Sequence, residues 1–143
     1  MTRVLKVGVK VLLRNPEGKI LLLKRSSKYR AVEGSWDIPG GRIETGSSLM
    51  ENLAREVREE AGLTVRGVPR LVAAQDIFPK DDPDQHIVRL TYVGEAEGET
   101  ALDGVEHTEH RWVPFGELGA LPGLDNYLRE LLADGRLTET AWT

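Results

Sequence analysis

The chain of 143 residues contains no cysteine. That absence excludes disulfide scaffolds, zinc–thiolate sites and thiol nucleophiles, and it agrees with a reducing cytoplasm. No apolar run approaches the ~20 residues that a membrane-spanning helix needs. Residues 1–10 also lack the apolar core and the cleavage site of a signal peptide. We therefore expect a cytoplasmic protein that has no membrane partner.

Basic residues are outnumbered as well, with 19 Lys and Arg against 23 Asp and Glu and a net charge of -4. A protein that binds nucleic-acid polymers or anionic membranes usually carries a basic stripe, so neither partner is expected. A small anionic substrate stays compatible, because a few local cations or a metal ion can hold it. The three histidines (His86, His107 and His110) are too dispersed to indicate a metal cluster.

The hydrophobic pattern predicts one domain over residues 1–143, of mixed α+β or α/β class. A hairpin is expected at the Asn15–Gly18 turn, and residues 26–33 are expected to form a loop. A central helix should begin at a Ser48–Glu51 capping box and end at Gly62. Predicted strands cover residues 4–13, 20–23, 35–38, 68–77, 87–93 and 110–113.

A closing helix is predicted over residues 125–132. Its apolar stripe should pack on the domain's own sheet, as such stripes usually do. The same stripe would also allow a homodimer, although no residue establishes one. The stripe consists of Leu124, Tyr127, Leu128, Leu131 and Leu132.

Three carboxylates share one edge of the predicted central helix. Each helical residue rotates the side chain by about 100°, which brings Glu56, Glu59 and Glu60 together. Acidic pairs four residues apart destabilise a helix by a few tenths of a kcal/mol. A divalent cation would offset this, since hard oxygen ligands suit Mg²⁺ and Mn²⁺. The alternative is a solvated helix face on which Arg55 and Arg58 balance the charge.

Residues 40–63 read GGRIETGSSLMENLAREVREEAGL. This segment resembles the box of the Nudix hydrolase family (MutT-like pyrophosphohydrolases): Gly41 opens it, and residues 55–63 match its second half at every specified position. The preceding WDIPGG and the later WVPFGEL also resemble segments of that family. The resemblance implies an α/β/α sandwich with a mixed sheet, and a magnesium-dependent or manganese-dependent enzyme.

One position departs from the family pattern. The first glutamate of the box would fall at residue 47, where this chain has Ser47. In the family, that glutamate lies near the arginine of the box, here Arg55. Glu44 would replace it if the loop brings it close enough. Otherwise the departure would indicate a weakened enzyme or a nucleotide-binding sensor.

The resemblance also implies roles for individual residues. Glu56 and Glu60 are expected to bind the metal directly, and Glu59 to be a further ligand or a catalytic residue that orients water. The backbone carbonyl of Gly40 is expected to join the metal shell. Arg55 is expected to orient the glutamates.

Outside the box, Glu106 is the candidate general base, with Glu109 as its competitor; either residue would otherwise be a solvated loop glutamate. Arg25, Arg30 and Arg42 are the candidate phosphate contacts, since guanidinium groups match phosphate oxygens; the alternative for each is a plain surface charge. Trp36 would stack on a base or pack inside the domain.

The expected reaction is hydrolysis of a diphosphate linkage in a small nucleotide. A water deprotonated by Glu106 or Glu59 would attack one phosphorus in line. The compact size resembles that of family members that cut a nucleoside triphosphate to monophosphate and pyrophosphate, which favours this substrate or a related small nucleotide. The alternative is ADP-ribose or a nucleotide sugar, because Pro79 lies 16 residues after Leu63, a spacing similar to one in ADP-ribose hydrolases of the family.

Overall fold

Seven strands and two α-helices follow one another in the computed structural model, which describes residues 2–143. Short 3₁₀ helices lie at Ser27–Val32, Phe115–Ala120 and Glu139–Trp142. The main elements are β1 (Val4–Arg14), β2 (Lys19–Arg25), β3 (Trp36–Asp37), β4 (Gly40–Arg42), α1 (Leu49–Ala61), β5 (Thr64–Ile77), β6 (Gln85–Glu97), β7 (His107–Pro114) and α2 (Asn126–Ala133).

Strand β1 organises the sheet. It runs parallel to β6 from the Val4–Gln85 pair to the Arg14–Glu95 pair, and its middle pairs antiparallel with β4. Strand β2 pairs antiparallel with β3 and β7, and β5 pairs antiparallel with β6. The predicted turn between β1 and β2 is present, but the two strands share only the Arg14–Ile20 pair. The predicted hairpin is therefore very short, because each strand continues along a different partner.

The sheet buries both of its faces. Side chains alternate along a strand, so Val9, Val11 and Leu13 of β1 pack with α1, whereas Leu12 packs on the opposite side with α2. Leu128 of α2 is fully buried in this second core, as is Leu131. The leucines of the predicted stripe thus pack on the chain's own sheet, and the predicted α/β/α sandwich with a mixed sheet is confirmed.

Helix α1 begins and ends where its sequence signals predicted. The Ser48 side chain accepts a hydrogen bond from the Glu51 backbone N–H, and the Glu51 carboxylate accepts one from the Ser48 N–H. Gly62 closes the helix in the left-handed conformation, with φ of 69°. Both ends are thereby hydrogen-bonded, which fixes the rotation of the helix and the direction of its glutamates.

Two local predictions were wrong. Residues 27–32 form a 3₁₀ helix instead of a loop, capped by the Ser26 side chain. No strand was predicted at Gly40 and Gly41, which follow the predicted strand over residues 35–38, but they pair with Lys10 and Val9 of β1 as part of β4. The cause is long-range: this ladder forms with a strand 30 residues earlier, which the local sequence does not reveal. Within residues 2–143, no helix is long and apolar enough to cross a membrane.

Candidate active site

The three carboxylates of α1 differ sharply in exposure. Glu60 points into the domain and is 3% exposed. The side chain of Glu56 is 16% exposed and contacts the Arg55 guanidinium at 3.2 Å. The side chain of Glu59 is 63% exposed and lies 3.9 Å from the same guanidinium. The predicted shared edge therefore runs from the interior of the protein to solvent.

A glycine pair allows the backbone of β4 to lie directly against these carboxylates. The Gly40 N–H donates a 2.8 Å hydrogen bond to Glu60 Oε1. A Cβ atom at Gly40, where φ is 144°, would lie 2.0 Å from the Val9 carbonyl oxygen. A Cβ atom at Gly41 would lie 2.9 Å from the Glu56 carboxylate. Only glycine fits both positions without displacing the backbone or the carboxylate.

Burial raises the pKa of two of these carboxyl groups. It raises the pKa of Glu60 to about 8, against the opposing effects of the Lys10 charge and the Gly40 hydrogen bond. Burial also raises the pKa of Glu56, although the hydrogen bond from Arg55 opposes the rise. A cation beside these two carboxyl groups would lower the free-energy cost of ionising them.

A second group of side chains reaches Glu60 from the start of β7. Burial favours a higher pKa for Glu106, but hydrogen bonds from Lys28 at 2.9 Å and Tyr29 at 3.1 Å outweigh it and hold that pKa below its ordinary value. His107 Nδ1 lies 3.8 Å from Glu60 Oε2. One donor atom from each of Glu60, Glu106 and His107 lies within 4.8 Å of the other two. An ionised carboxylate, a buried acid and an imidazole therefore converge.

Arg55 lies among several acceptors despite the departure at residue 47. Its guanidinium contacts Glu44 at 3.3 Å, so the loop does bring a carboxylate to Arg55 although residue 47 is a serine. The fully buried Asn52 also accepts from Arg55 at 2.9 Å and from the Glu44 N–H at 2.8 Å. The Asn52 amide donates to the carbonyls of Ser47 and residue 48. Asn52 thus joins the loop before α1 to the guanidinium that contacts Glu56.

Next to these groups lies a cavity of about 900 Å³. Gly41 and His107, which contact Glu56 and Glu60, also line the cavity. Tyr127 contributes part of an apolar wall. The cavity is lined further by Ile77, Pro79, Ile87 and Leu124, and by the basic side chains of Lys10, Arg25, Lys28, Arg30, Arg42 and Arg89.

Buried ion pairs form the floor of this cavity. Asp37 is 1% exposed and contacts Lys10 at 2.8 Å and Arg89 at 3.4 Å, as well as Arg25. Asp125 contacts Arg25 at 2.8 Å and Arg89 at 3.0 Å. The three cations hold the pKa of Asp37 well below its usual range despite the opposing effect of burial. Three positive charges face two negative charges, so the floor is positively charged overall.

The structure separates the other predicted residues. Arg25 lines the cavity but is already paired with two aspartates, whereas Arg42 lines it with an exposed side chain. Trp36 is buried in the core beside α2 and does not line the cavity, which corresponds to the packing alternative. Glu109 lies 3.9 Å from Lys24 and is 60% exposed, away from the cluster that contains Glu106.

Comparison with known proteins agrees with this arrangement. A family model described as the NUDIX domain matches residues 4–135. The chain belongs to the Nudix hydrolase family. It is therefore a pyrophosphohydrolase of that family, and α1 is its Nudix helix.

Two relatives and one solved structure show the range of this Nudix hydrolase's similarity. A Bacillus subtilis (strain 168) protein provisionally named an 8-oxo-dGTP diphosphatase is 32% identical over 78% of this chain and 68% of its own length. The ADP-ribose pyrophosphatase of Methanocaldococcus jannaschii is 30% identical over 76% of this chain, but only 60% of that enzyme is covered. The crystal structure of the MutT protein from Methanosarcina mazei Go1 gives a TM-score of 0.80 at 29% identity, and 94% of each chain is covered.

Nudix enzymes use divalent metals, and the donor set of this chain fits such an ion. The carboxylates of Glu56, Glu60 and Glu106 lie close enough together for each to raise the pKa of another, or to share a hydrogen bond. Oxygen donors of this kind suit hard divalent cations. The Gly40 carbonyl oxygen lies 3.5 Å from Lys10 Nζ, and the N–H of the same residue donates to Glu60.

Sequence reasoning missed several residues of this Nudix site. Lys10 and Asp37 lie within or beside apolar strand segments, and a charged residue in such a segment was the available signal. His107 gave no signal because histidine spacing along the chain does not reveal contacts across the sheet. Asn52 and Tyr29 gave none because their importance depends on partners in other segments.

Proposed function

We propose that this Nudix hydrolase cuts a nucleoside triphosphate or a related small nucleotide to a nucleoside monophosphate and pyrophosphate. One observation carries the proposal: the carboxylates of Glu56, Glu60 and Glu106 lie near one another, and their neighbours Gly41 and His107 line a basic cavity of about 900 Å³. A cavity of that volume lies in the range of ~300–1,000 Å³ typical of small-molecule sites.

The lining of the cavity suits the two halves of a nucleotide. Tyr127 and Leu124 offer a mainly apolar wall for a base, near Ile77 and Ile87. Arg42 has an exposed side chain, so its guanidinium remains available to phosphate oxygens. Lys28 and Arg30 line the same cavity with exposed side chains. Arg25 would instead stay paired with the two aspartates and contribute its positive charge to the floor of the cavity.

Mg²⁺ or Mn²⁺ would be held by Glu56 and Glu60, with Glu59 and the Gly40 carbonyl as further ligands. When bound, such a cation neutralises the diphosphate and makes its phosphorus more open to attack. Arg55 positions Glu56 through their 3.2 Å contact.

Glu106 is the residue that we propose to accept the proton of the attacking water. Lys28 and Tyr29 donate hydrogen bonds to its carboxylate, which keep it ionised and oriented. Because its pKa is lowered, Glu106 is a weak base. It would therefore accept a proton from a water whose own pKa is lowered in the site. Glu59 is the alternative acceptor, although its side chain is mostly exposed.

A second substrate class has one observation in its favour. Pro79, which lies at the spacing seen in ADP-ribose hydrolases, lines the cavity, and the relative from Methanocaldococcus jannaschii is named an ADP-ribose pyrophosphatase. ADP-ribose or a nucleotide sugar would then replace the triphosphate. A nucleotide-binding sensor is the third hypothesis, which rests on Ser47; the 3.3 Å contact between Glu44 and Arg55 weakens its basis.

The test is a product-release assay with nucleoside triphosphates, ADP-ribose, nucleotide sugars and dinucleoside polyphosphates, each with and without Mg²⁺ or Mn²⁺. Release of pyrophosphate and monophosphate from a triphosphate is the expected result. Glu60→Gln should lower kcat by at least about 100-fold, whereas Glu130→Gln on the exposed side of α2 should match wild type.

Two outcomes would contradict the proposal. Full activity of Glu60→Gln with unchanged metal dependence would exclude Glu60 as a ligand. Saturable nucleotide binding by folded wild-type protein, without turnover of any substrate, would favour the sensor. In that case Ser47→Glu would be the first variant to test for restored activity.

A further inference from the structure

We propose that the Nδ1 atom of His107 is a ligand of the metal ion held by Glu56 and Glu60, and that this nitrogen makes the site prefer Mn²⁺ to Mg²⁺. The inference rests on the proposed metal-dependent hydrolysis and adds a donor to the metal site. None of the sequence motifs pointed to this histidine.

The first observation is an imidazole nitrogen without a partner. His107 is 2% exposed, and Nδ1 makes no hydrogen bond with any residue from 2 to 143. Buried polar atoms are nearly always hydrogen-bonded, since an unpartnered one costs about 1–3 kcal/mol. The nearest acidic oxygen, Glu60 Oε2, lies at 3.8 Å, which is too long for a hydrogen bond.

The spacing suits two ligands of one ion. Atoms bound to the same cation at ~2.1 Å lie about 3 Å apart when adjacent and about 4.2 Å apart when opposite. The 3.8 Å between His107 Nδ1 and Glu60 Oε2 falls within that range. A Glu106 oxygen lies within 4.8 Å of donor atoms of both His107 and Glu60, so the proposed proton acceptor also borders this place.

The surroundings hold the imidazole in place. His107 is the first residue of β7 and pairs with Arg25 of β2. Its ring lies 5.9 Å from the Tyr29 ring, and Tyr29 itself donates a hydrogen bond to Glu106. Donors on rigid strands hold their geometry better than donors on loops.

The chemistry of the donors predicts the metal preference. Mg²⁺ takes oxygen ligands almost exclusively and gives up water reluctantly. Imidazole is a softer donor that favours first-row transition ions. A site with two carboxylates and one imidazole should therefore bind Mn²⁺ more tightly than Mg²⁺, and removal of the nitrogen should reduce the difference.

The test is pulsed EPR of the wild-type protein loaded with Mn²⁺, with calorimetric titrations of Mn²⁺ and Mg²⁺ beside it. Electron spin echo modulation from a ¹⁴N nucleus is expected, and it should be replaced by the ¹⁵N pattern when the protein is labelled with ¹⁵N-histidine. This arm needs no substitution, so it stays informative even if variants fold poorly.

Two variants complete the experiment. In His107→Gln the nitrogen modulation should disappear and Mn²⁺ affinity should fall at least about tenfold, with a smaller change for Mg²⁺. His110→Gln, an exposed residue on the same strand, should retain the modulation and both affinities.

Wild-type protein that binds Mn²⁺ without nitrogen modulation would overturn the inference while leaving metal-dependent hydrolysis intact. An equal fall in Mn²⁺ and Mg²⁺ affinity in His107→Gln would overturn the metal preference. Absence of binding of either ion, together with absence of turnover, would overturn both the inference and the proposed function.

Discussion

The buried acid on α1 leads to a specific expectation for the metal-free protein. Glu60 has a pKa of about 8 when folded, against an ordinary value of 4.5. Between these values, the folded protein keeps a proton that the unfolded chain releases. The contribution of protonated Glu60 to the free energy of unfolding is therefore fully present below pH 4.5, and it is lost as the pH rises through 8.

The size of the effect follows from the difference between the two pKa values. The difference between a pKa of 4.5 in the unfolded chain and one of about 8 in the folded protein corresponds to a loss of about 4 kcal/mol in the free energy of unfolding by pH 8. Glu60→Gln cannot ionise, and its amide oxygen can still accept from the Gly40 N–H. We therefore expect this variant to become more stable than wild type as the pH rises, by several kcal/mol at pH 8.

Urea titrations at several pH values between 5 and 8, with a chelator present, would measure this difference. Glu59→Gln is the matched control, since its side chain is 63% exposed on the same helix, and its stability should follow that of wild type. Addition of Mg²⁺ or Mn²⁺ should remove the wild-type decline, because a bound cation favours the ionised acid. A difference between Glu60→Gln and wild type that stays constant over this pH range would refute the reasoning.

Three further predictions concern stability. Gly40→Ala should cost about 3 kcal/mol or more in a thermal melt, because its Cβ would lie 2.0 Å from the Val9 carbonyl oxygen. Gly46→Ala, whose Cβ meets open space, should cost only about 1–2 kcal/mol, and equal losses would contradict the steric argument. Asp37→Asn should lower the free energy of unfolding by about 3–5 kcal/mol in urea, since one buried and two largely buried cations lose a partner; a loss below about 1 kcal/mol would contradict this. Asn52→Ala should cost about 1–3 kcal/mol, because the Glu44 N–H and two carbonyls lose their partner, and an unchanged free energy of unfolding would contradict this.

Features coded by neighbouring residues could be predicted from the sequence. The capping box at Ser48 and Glu51 and the left-handed Gly62 are local signals, so the bounds of α1 followed from them. Because the helix was placed correctly, the shared edge of Glu56 and Glu60 was also correct. What the helix pattern could not predict is exposure, which depends on the strands that cover Glu60 but leave Glu59 in solvent.

Features that depend on distant segments could not be predicted. The β4 ladder needs β1, and the proximity of His107 to Glu60 needs the first residue of β7 to reach the Nudix helix. The role of Glu44 was left open for the same reason, since only the loop conformation decides whether its carboxylate reaches Arg55. Pair contacts between segments carry no signature in one sequence, whereas caps and periodicity do.

The separation between the carboxylate cluster and the walls of the cavity has an evolutionary consequence. The acids lie on α1 and at the start of β7, whereas much of the cavity wall comes from residues 29–35, 77–81 and 123–127, which lie largely in connecting segments. Insertions and deletions in connections leave the register of a sheet unchanged. A lineage can therefore exchange these segments and acquire a different substrate while it inherits the same hydrolytic helix.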